Sequence, residues 1–235
     1  MKTWVIFKRE LRGYFYSPQA YILMGFFILL TGFFFSDYII NTRYPSIQYV
    51  MSSWPMIFLF IAPILTMKLF TEERKYGTEK LVFSSPVSVT EVVLGKFFSV
   101  CVVYLASLIL TLTHVIIVFI IGNPDLGRIF TAYIGNILLG FSFLSVGLFA
   151  SSLSENQIIA AIISFGLLIF FWVIDILQDI FTGIPHKIIQ IISLFEPYAG
   201  FQNGFISLSS VVYYISFTGI FLFLTVRVIK SRWLQ

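Results

Sequence analysis

Six stretches of this 235-residue chain contain no lysine, arginine, aspartate or glutamate, and their lengths decide what the chain can fold into. They run from Gly13 to Ser36, Tyr44 to Met67, Phe97 to Pro124, Ile129 to Ser154, Asn156 to Ile174 and Pro197 to Val226. A helix crossing the hydrocarbon core of a bilayer needs about 20 apolar residues, and each run supplies roughly that or more. Only 11% of the residues are charged, against about 25% in a soluble domain. The expectation is an all-α integral membrane protein with six transmembrane helices and both termini on one side.

Lysine and arginine orient it. With the N-terminus inside, Lys2, Lys8, Arg9, Arg12, Lys68, Arg74, Lys75, Lys80, Lys96, Arg227, Lys230 and Arg232 are cytoplasmic, and Arg43, Arg128 and Lys187 lie outside. Basic residues concentrate on the cytoplasmic side of membrane proteins, so both termini are read as cytoplasmic. The same rule explains the net charge of +4 without nucleic acid. The single cysteine, Cys101, excludes an intrachain disulfide. Residues 1–17 lack a small-residue cleavage site and carry charge through their middle, unlike a secretory signal. They are read as an interfacial helix with basic groups at the headgroups and Trp4, Phe7, Leu11 and Phe15 towards the acyl boundary; a short cytoplasmic tail is the alternative. Ser17-Pro18 ends that element, because the residue before proline disfavours the α region.

Charge returns in the loop 71–95, TEERKYGTEKLVFSSPVSVTEVVLG, between the second and third runs. Gly77 predicts a helix end, since glycine costs roughly 1 kcal/mol in a helix interior. Thr78 is placed to cap a short helix carrying Glu79, Lys80, Leu81, Val82 and Phe83, closed by Ser84-Ser85-Pro86. Ser88-Val-Thr-Glu91 has capping-box spacing, which starts the third span near Val89. On these residues alone an ordinary solvated loop remains open.

The order of Glu73, Gly77-Thr78-Glu79, Leu81, Ser85-Pro86-Val87 and Gly95-Lys96 resembles the loop between the first two hairpins of ABC-2 type transporter permeases. The resemblance extends to FKRELRGYFYSPQAYI (Phe7 to Ile22), SSLSENQIIAAIISF (Ser151 to Phe165) and LFEPYAGFQNGFISLSSVVYY (Leu194 to Tyr214). Small size and both end motifs are similar to the gliding-motility-associated permeases of Bacteroidetes, although permeases for copper-enzyme maturation, sodium or antibiotic export share these motifs. The resemblance implies a single transmembrane domain over 1–235 in a bacterial cytoplasmic (inner) membrane, pairing with a second permease subunit, the same or a similar chain. It implies that a cytoplasmic ABC ATPase docks on the loop through Glu73, Gly77, Thr78, Glu79, Leu81 and Pro86. ATP and Mg would be bound by that partner: the chain has no G-x-x-x-x-G-K-[ST] phosphate loop and is expected to be no enzyme itself.

Residues 175–208 are apolar but broken by Gly183, Pro185, Pro197, Gly200 and Gly204. Irregular backbone at membrane depth is tolerated only where protein or a cavity surrounds it, so a re-entrant helical hairpin capping the outer end is predicted. Glu196 and Pro197 in it are the candidate gate or interface contact, because an acidic group below the headgroups is costly and usually functional or partnered. Asp175 and Asp179, four apart, either greet a cation or mark a hydrated helix end. No metal site is expected: His114 lacks a second ligand at suitable spacing, His186 falls in the outer loop, and Met24, Met51, Met56 and Met67 follow no period. Tyr16, Trp54, Trp172 and Trp233 are read as interfacial anchors. No catalytic cluster supports a membrane-embedded enzyme. The span centres hold no acidic residue for an ATP-independent secondary transporter, although that class, or a membrane anchor, stays the alternative. Whether ATP drives export or mechanical work on an extracytoplasmic accessory protein is not separable on sequence.

Overall fold

The computed structural model describes residues 2–42, 47–79, 87–177 and 192–233. Ten helices form this part of the chain: α1 (Lys2–Tyr16), α2 (Pro18–Thr42), α3 (Ile47–Thr66), α4 (Lys68–Lys75), α5 (Val89–Leu110), α6 (Leu112–Ile121), α7 (Leu126–Leu153), α8 (Gln157–Leu177), α9 (Glu196–Gln202) and α10 (Leu208–Trp233). There is no strand among the described residues. Six helical lengths are long and apolar enough to cross a membrane: Pro18–Thr42, Val50–Lys75, Val89–Ile121, Leu126–Leu153, Gln157–Leu177 and Leu208–Arg232. The second combines α3 with α4 and the third combines α5 with α6. This is the expected all-α, six-span architecture.

The span ends differ from the uncharged runs, and local chemistry explains why. α1 stops at Tyr16 and Pro18 opens α2, so Gly13 to Tyr16 belong to the preceding element and Ser17 to the joint. The second span continues through Met67 into charged sequence as far as Lys75. The third starts at Val89, eight residues before its uncharged run, because Ser88 builds a full capping box: Ser88 Oγ accepts from the Glu91 amide at 3.2 Å, and the Glu91 carboxylate accepts from the Ser88 amide at 2.9 Å. Asp125 caps α7 by accepting from the Gly127 and Arg128 amides. The last run, from Pro197, is not one span but the short α9, a turn at Gly204 (φ +91°) and then α10. Absence of charge marks the apolar slab, whereas caps and turns set where helices end.

α7 is the hub, packed against α3, α4, α5, α8, α9 and α10. Of its most apolar window 72% is buried, against 17% for α8 and α10, which lie mostly on the outside of the bundle. Helices in a bilayer associate through close packing, which favours small residues at their contacts. A Cβ on Gly140 would come within 2.2 Å of the Tyr104 ring, and one on Gly147 within 2.1 Å of Thr66 Oγ1. Glycine is therefore what lets α5 and α3 approach α7. Tyr104 completes its contact by donating to the Asn136 carbonyl at 2.8 Å. Trp54 corrects an expectation: it is 1% exposed, edge-on to Phe27 and Tyr133 in the core, and does not anchor at an interface. It lies near the middle of its uncharged run, more than a turn inside α3, on the face towards α2 and α7.

Candidate functional site

The charged end of the bundle is organised by Lys96. α1 lies along the start of α5, and Gly95 makes the approach possible, since a Cβ there would fall 2.8 Å from Ile6 Cγ2 and 3.1 Å from the Thr3 carbonyl oxygen. The next residue, Lys96, is thereby covered to 1% exposure. A buried ammonium requires partners, and it has two: its Nζ lies 3.2 Å from Glu10 Oε1 and 3.1 Å from Glu73 Oε1, with the Phe70 ring centroid at 5.3 Å. Arg9 closes the group, pairing with Glu10 at 2.6 Å and with Glu73. Burial by itself raises the Glu10 pKa, but Lys96 and Arg9 outweigh it and hold the carboxyl below its usual range. Burial likewise lowers the Arg9 pKa, and Glu10 and Glu73 reverse this to a net rise. Two carboxylates and two cations thus tie α1, α4 and α5 into one unit. Tyr14 adds a hydrogen bond from α1 to the Leu65 carbonyl at 2.7 Å.

The regular helix of the second span is interrupted at Met67, between α3 and α4. Ser151 of α7 is inserted there, its Oγ accepting from the Phe70 amide at 3.0 Å and donating to the Met67 carbonyl at 3.2 Å. A side chain entering the backbone ladder in this way takes the place of regular helix bonds. α4 then ends at Lys75, and Gly77 takes φ +69°, the left-handed conformation that glycine adopts without penalty. Thr78 Oγ1 donates back to the Glu73 carbonyl at 3.2 Å. Glu79 pairs with Arg74 at 3.3 Å, and not with Lys75 four residues earlier, because the helix has already ended. Arg74 also donates to the Ser152 carbonyl at 3.1 Å, where Arg232 of α10 joins it and reaches the Leu153 carbonyl as well. These arginines satisfy carbonyls that the end of a helix leaves without partners. Gln157 donates to Glu72 at 3.2 Å and ties in α8.

Of the residues predicted for docking, Glu73, Gly77, Thr78 and Glu79 are brought to one end but divided by environment. Gly77 and Thr78 are exposed, Glu79 is half-buried, and Glu73 faces inward on Lys96 and Arg9. Leu81 and Pro86 lie outside the described residues. The sequence reading missed Glu10, Arg9 and Ser151. The signal available for the first two was a glutamate set among basic residues in a chain whose Gly-Lys enters an apolar run.

At the opposite end, α9 is tucked against α7 and α3. Ser193 Oγ donates to Asp175 and accepts from the Phe195 and Glu196 amides at 3.2 Å, which fixes the start of the helix. Glu196 occupies the first turn, where the helix dipole favours a carboxylate, with Pro197 behind it. Tyr198 donates to the Met51 carbonyl at 3.0 Å, Tyr214 to Leu194 at 2.6 Å, and Thr131 to Phe201 at 2.9 Å. Asp179 lies outside the described residues, so of that acidic pair only Asp175 is placed, as the partner of Ser193. No group of His, Cys, Asp and Glu suited to a metal ion occurs among the described residues.

The family profile for the ABC-2 family transporter protein matches residues 35–230, from the end of the first span almost to the end of the last. The chain belongs to the ABC-2 transporter family. No curated protein matches it. This ABC-2 chain is a multi-pass membrane protein and the permease component of its transporter, the part without an ATPase site. ABC-2 permeases normally pair with a cytoplasmic ABC ATPase, so an exposed turn held on a rigid charged scaffold is the feature to examine for that role.

Proposed function

We propose that this permease couples ATP hydrolysis on a separate cytoplasmic subunit to movement of its spans, and that the turn at Gly77–Glu79 with the segment after it receives that subunit. The observation that carries the reading is the ionic cluster behind the turn. Glu73, one helical turn before Gly77, shares Lys96 with Glu10, so force applied at the turn reaches the second span, the third span and α1 together. Lys96 would act as the joint. In this reading the charged end is cytoplasmic in a bacterial inner membrane, with both termini there, and a second permease subunit completes the pathway. ATP and Mg belong to the partner. The resemblance to gliding-motility-associated permeases supports mechanical work on an extracytoplasmic protein as a use of the motion, beside export. Glu196 and Pro197 would then serve as the outer gate or contact, held by the Ser193–Asp175 pair.

A photoreactive side chain introduced at exposed Thr78, in cells, tests the docking. It is expected to crosslink to an ATP-binding subunit, while the same group at exposed Leu208, at the other end of the bundle, does not. Crosslinks from Leu208 and none from Thr78 would overturn both the docking and the orientation.

A further inference from the structure

The charged end has a second feature beside the ionic cluster. Where α1 hands over to α2, a cavity of about 240 Å³ opens, lined by Glu10, Gly13, Ser17, Gln19, Lys68 and Glu72 among others. Its height in the bilayer follows from the elements around it. Pro18 begins the first span, and Lys68 begins the charged half of the second, so the cavity lies where apolar sequence gives way to charge, at the level of lipid headgroups. It is smaller than the roughly 300–1,000 Å³ of pockets that enclose drug-sized ligands, and suits a headgroup whose chains remain in the membrane.

The lining has a definite chemistry. Arg9 and Lys96 both engage Glu10 through Oε1, and Lys68 and Gln157 both engage Glu72 through its Oε1. The second oxygen of each carboxylate is left to accept from a ligand. Lys68 holds Glu72 at 3.6 Å, too far for a hydrogen bond, so its ammonium keeps donors for an anionic group. Gly13 leaves the wall open, since a Cβ there would meet nothing within 4 Å.

We propose that this cavity binds an ethanolamine-phosphate headgroup, its primary ammonium between Glu10 and Glu72 and its phosphate on Lys68. Three N–H groups match two carboxylates, whereas the trimethylammonium of choline has no N–H to donate. The zwitterion also adds no net charge to a site already balanced between acids and bases. The same chemistry is available from the membrane lipid and from free phosphoethanolamine. The inference requires only that the spans lie in a bilayer, and it stands whether or not the turn at Gly77 receives an ATPase.

Native mass spectrometry of the detergent-solubilised permease tests this, with phosphatidylethanolamine, phosphatidylcholine and phosphatidylglycerol of identical chains added in turn. The wild type is expected to retain phosphatidylethanolamine about tenfold over the other two. Glu72→Gln, at a side chain 44% exposed, and Gly13→Phe, which fills the open wall, should each remove that preference with helical content unchanged. Displacement by soluble phosphoethanolamine would show that the headgroup alone suffices, and resistance to it would show that the site takes the group as lipid. Equal retention of the three lipids by the wild type overturns the proposal. So does an undiminished preference in Glu72→Gln, a result that does not depend on how Gly13→Phe folds.

Discussion

Lys96 shows how one side chain can be visible in a sequence while its role is not. Its charge was legible, and so was its place after a glycine at the head of an apolar run. Its partners lie 86 and 23 residues away, and no local rule selects Glu10 or Glu73 from the other acids of the chain. Removing one member of a buried ion group leaves the rest uncompensated and commonly costs 3–5 kcal/mol. Lys96→Met should therefore destabilise the protein by about 3 kcal/mol or more and release α1, measurable as faster hydrogen exchange across residues 2–16. Glu10→Gln in the same background should recover part of that loss; no recovery would mean that Glu10 is not the group left stranded. The pH dependence has a definite sign. The native Glu10 pKa lies below its unfolded value, so its stabilising contribution is complete above the ordinary carboxylate value of about 4.3 and is lost as pH falls through the lowered native one. Protection factors of the α1 amides, with the intrinsic pH dependence of exchange divided out, should be high at neutral pH and fall in strong acid, and amides that stay equally protected throughout would contradict this. Trp54 teaches the complementary lesson, for the distance of a tryptophan from a run boundary does not say which face of the helix carries it.

Among the elements, three ends that depend on neighbouring residues were read correctly, the Asp125 cap of α7 was missed, and what distant contacts fix was not legible. Ser88 with Glu91, Ser17-Pro18 and Gly77 each mark a helix boundary through chemistry contained in a few residues, and the structure has boundaries at all three. The interruption at Met67 is occupied by Ser151, and the seat of α9 comes from Tyr198, Tyr214 and Thr131 meeting backbone carbonyls across the bundle. Only the interruption of the 175–208 stretch was legible, not what holds it. Two outcomes follow at this scale. Ser193→Ala leaves the Phe195 and Glu196 amides and Asp175 without a buried hydroxyl, and an unsatisfied buried group costs about 1–3 kcal/mol. It should raise protease sensitivity around residues 192–202 while leaving α1 protected, whereas wild-type resistance there would remove Ser193 from its assigned part. Gly77→Pro forces φ to about −65° where the chain needs +69°. The turn should be lost with membrane insertion intact, read by fractionation beside loss of function in the cell; full function would mean that the turn is not the docking element.

For the molecule as a whole, hydropathy was enough to give six spans, and the alternation of spans brings the basic residues of α1, α4, α5 and α10 to one end with Arg128 at the other. That segregation is why the charged end is taken as the side facing a cytoplasmic partner. The central hub was not read, although α7 is rich in small residues, because composition does not say which neighbours pack on Gly135, Gly140 and Gly147. Function lay between these extremes: the loop motif pointed to the ABC-2 family, and the match over residues 35–230 bears that out. The claim that most needs testing is that the charged end receives an ATPase. The direct measurement is affinity purification of the permease from its native membrane in mild detergent, beside Glu79→Arg, which replaces the partner of Arg74 with a like charge. A nucleotide-binding subunit that accompanies the wild type and is lost with the variant is the result expected. An ATPase absent from the wild type in several detergents, or retained undiminished by Glu79→Arg, would contradict the account.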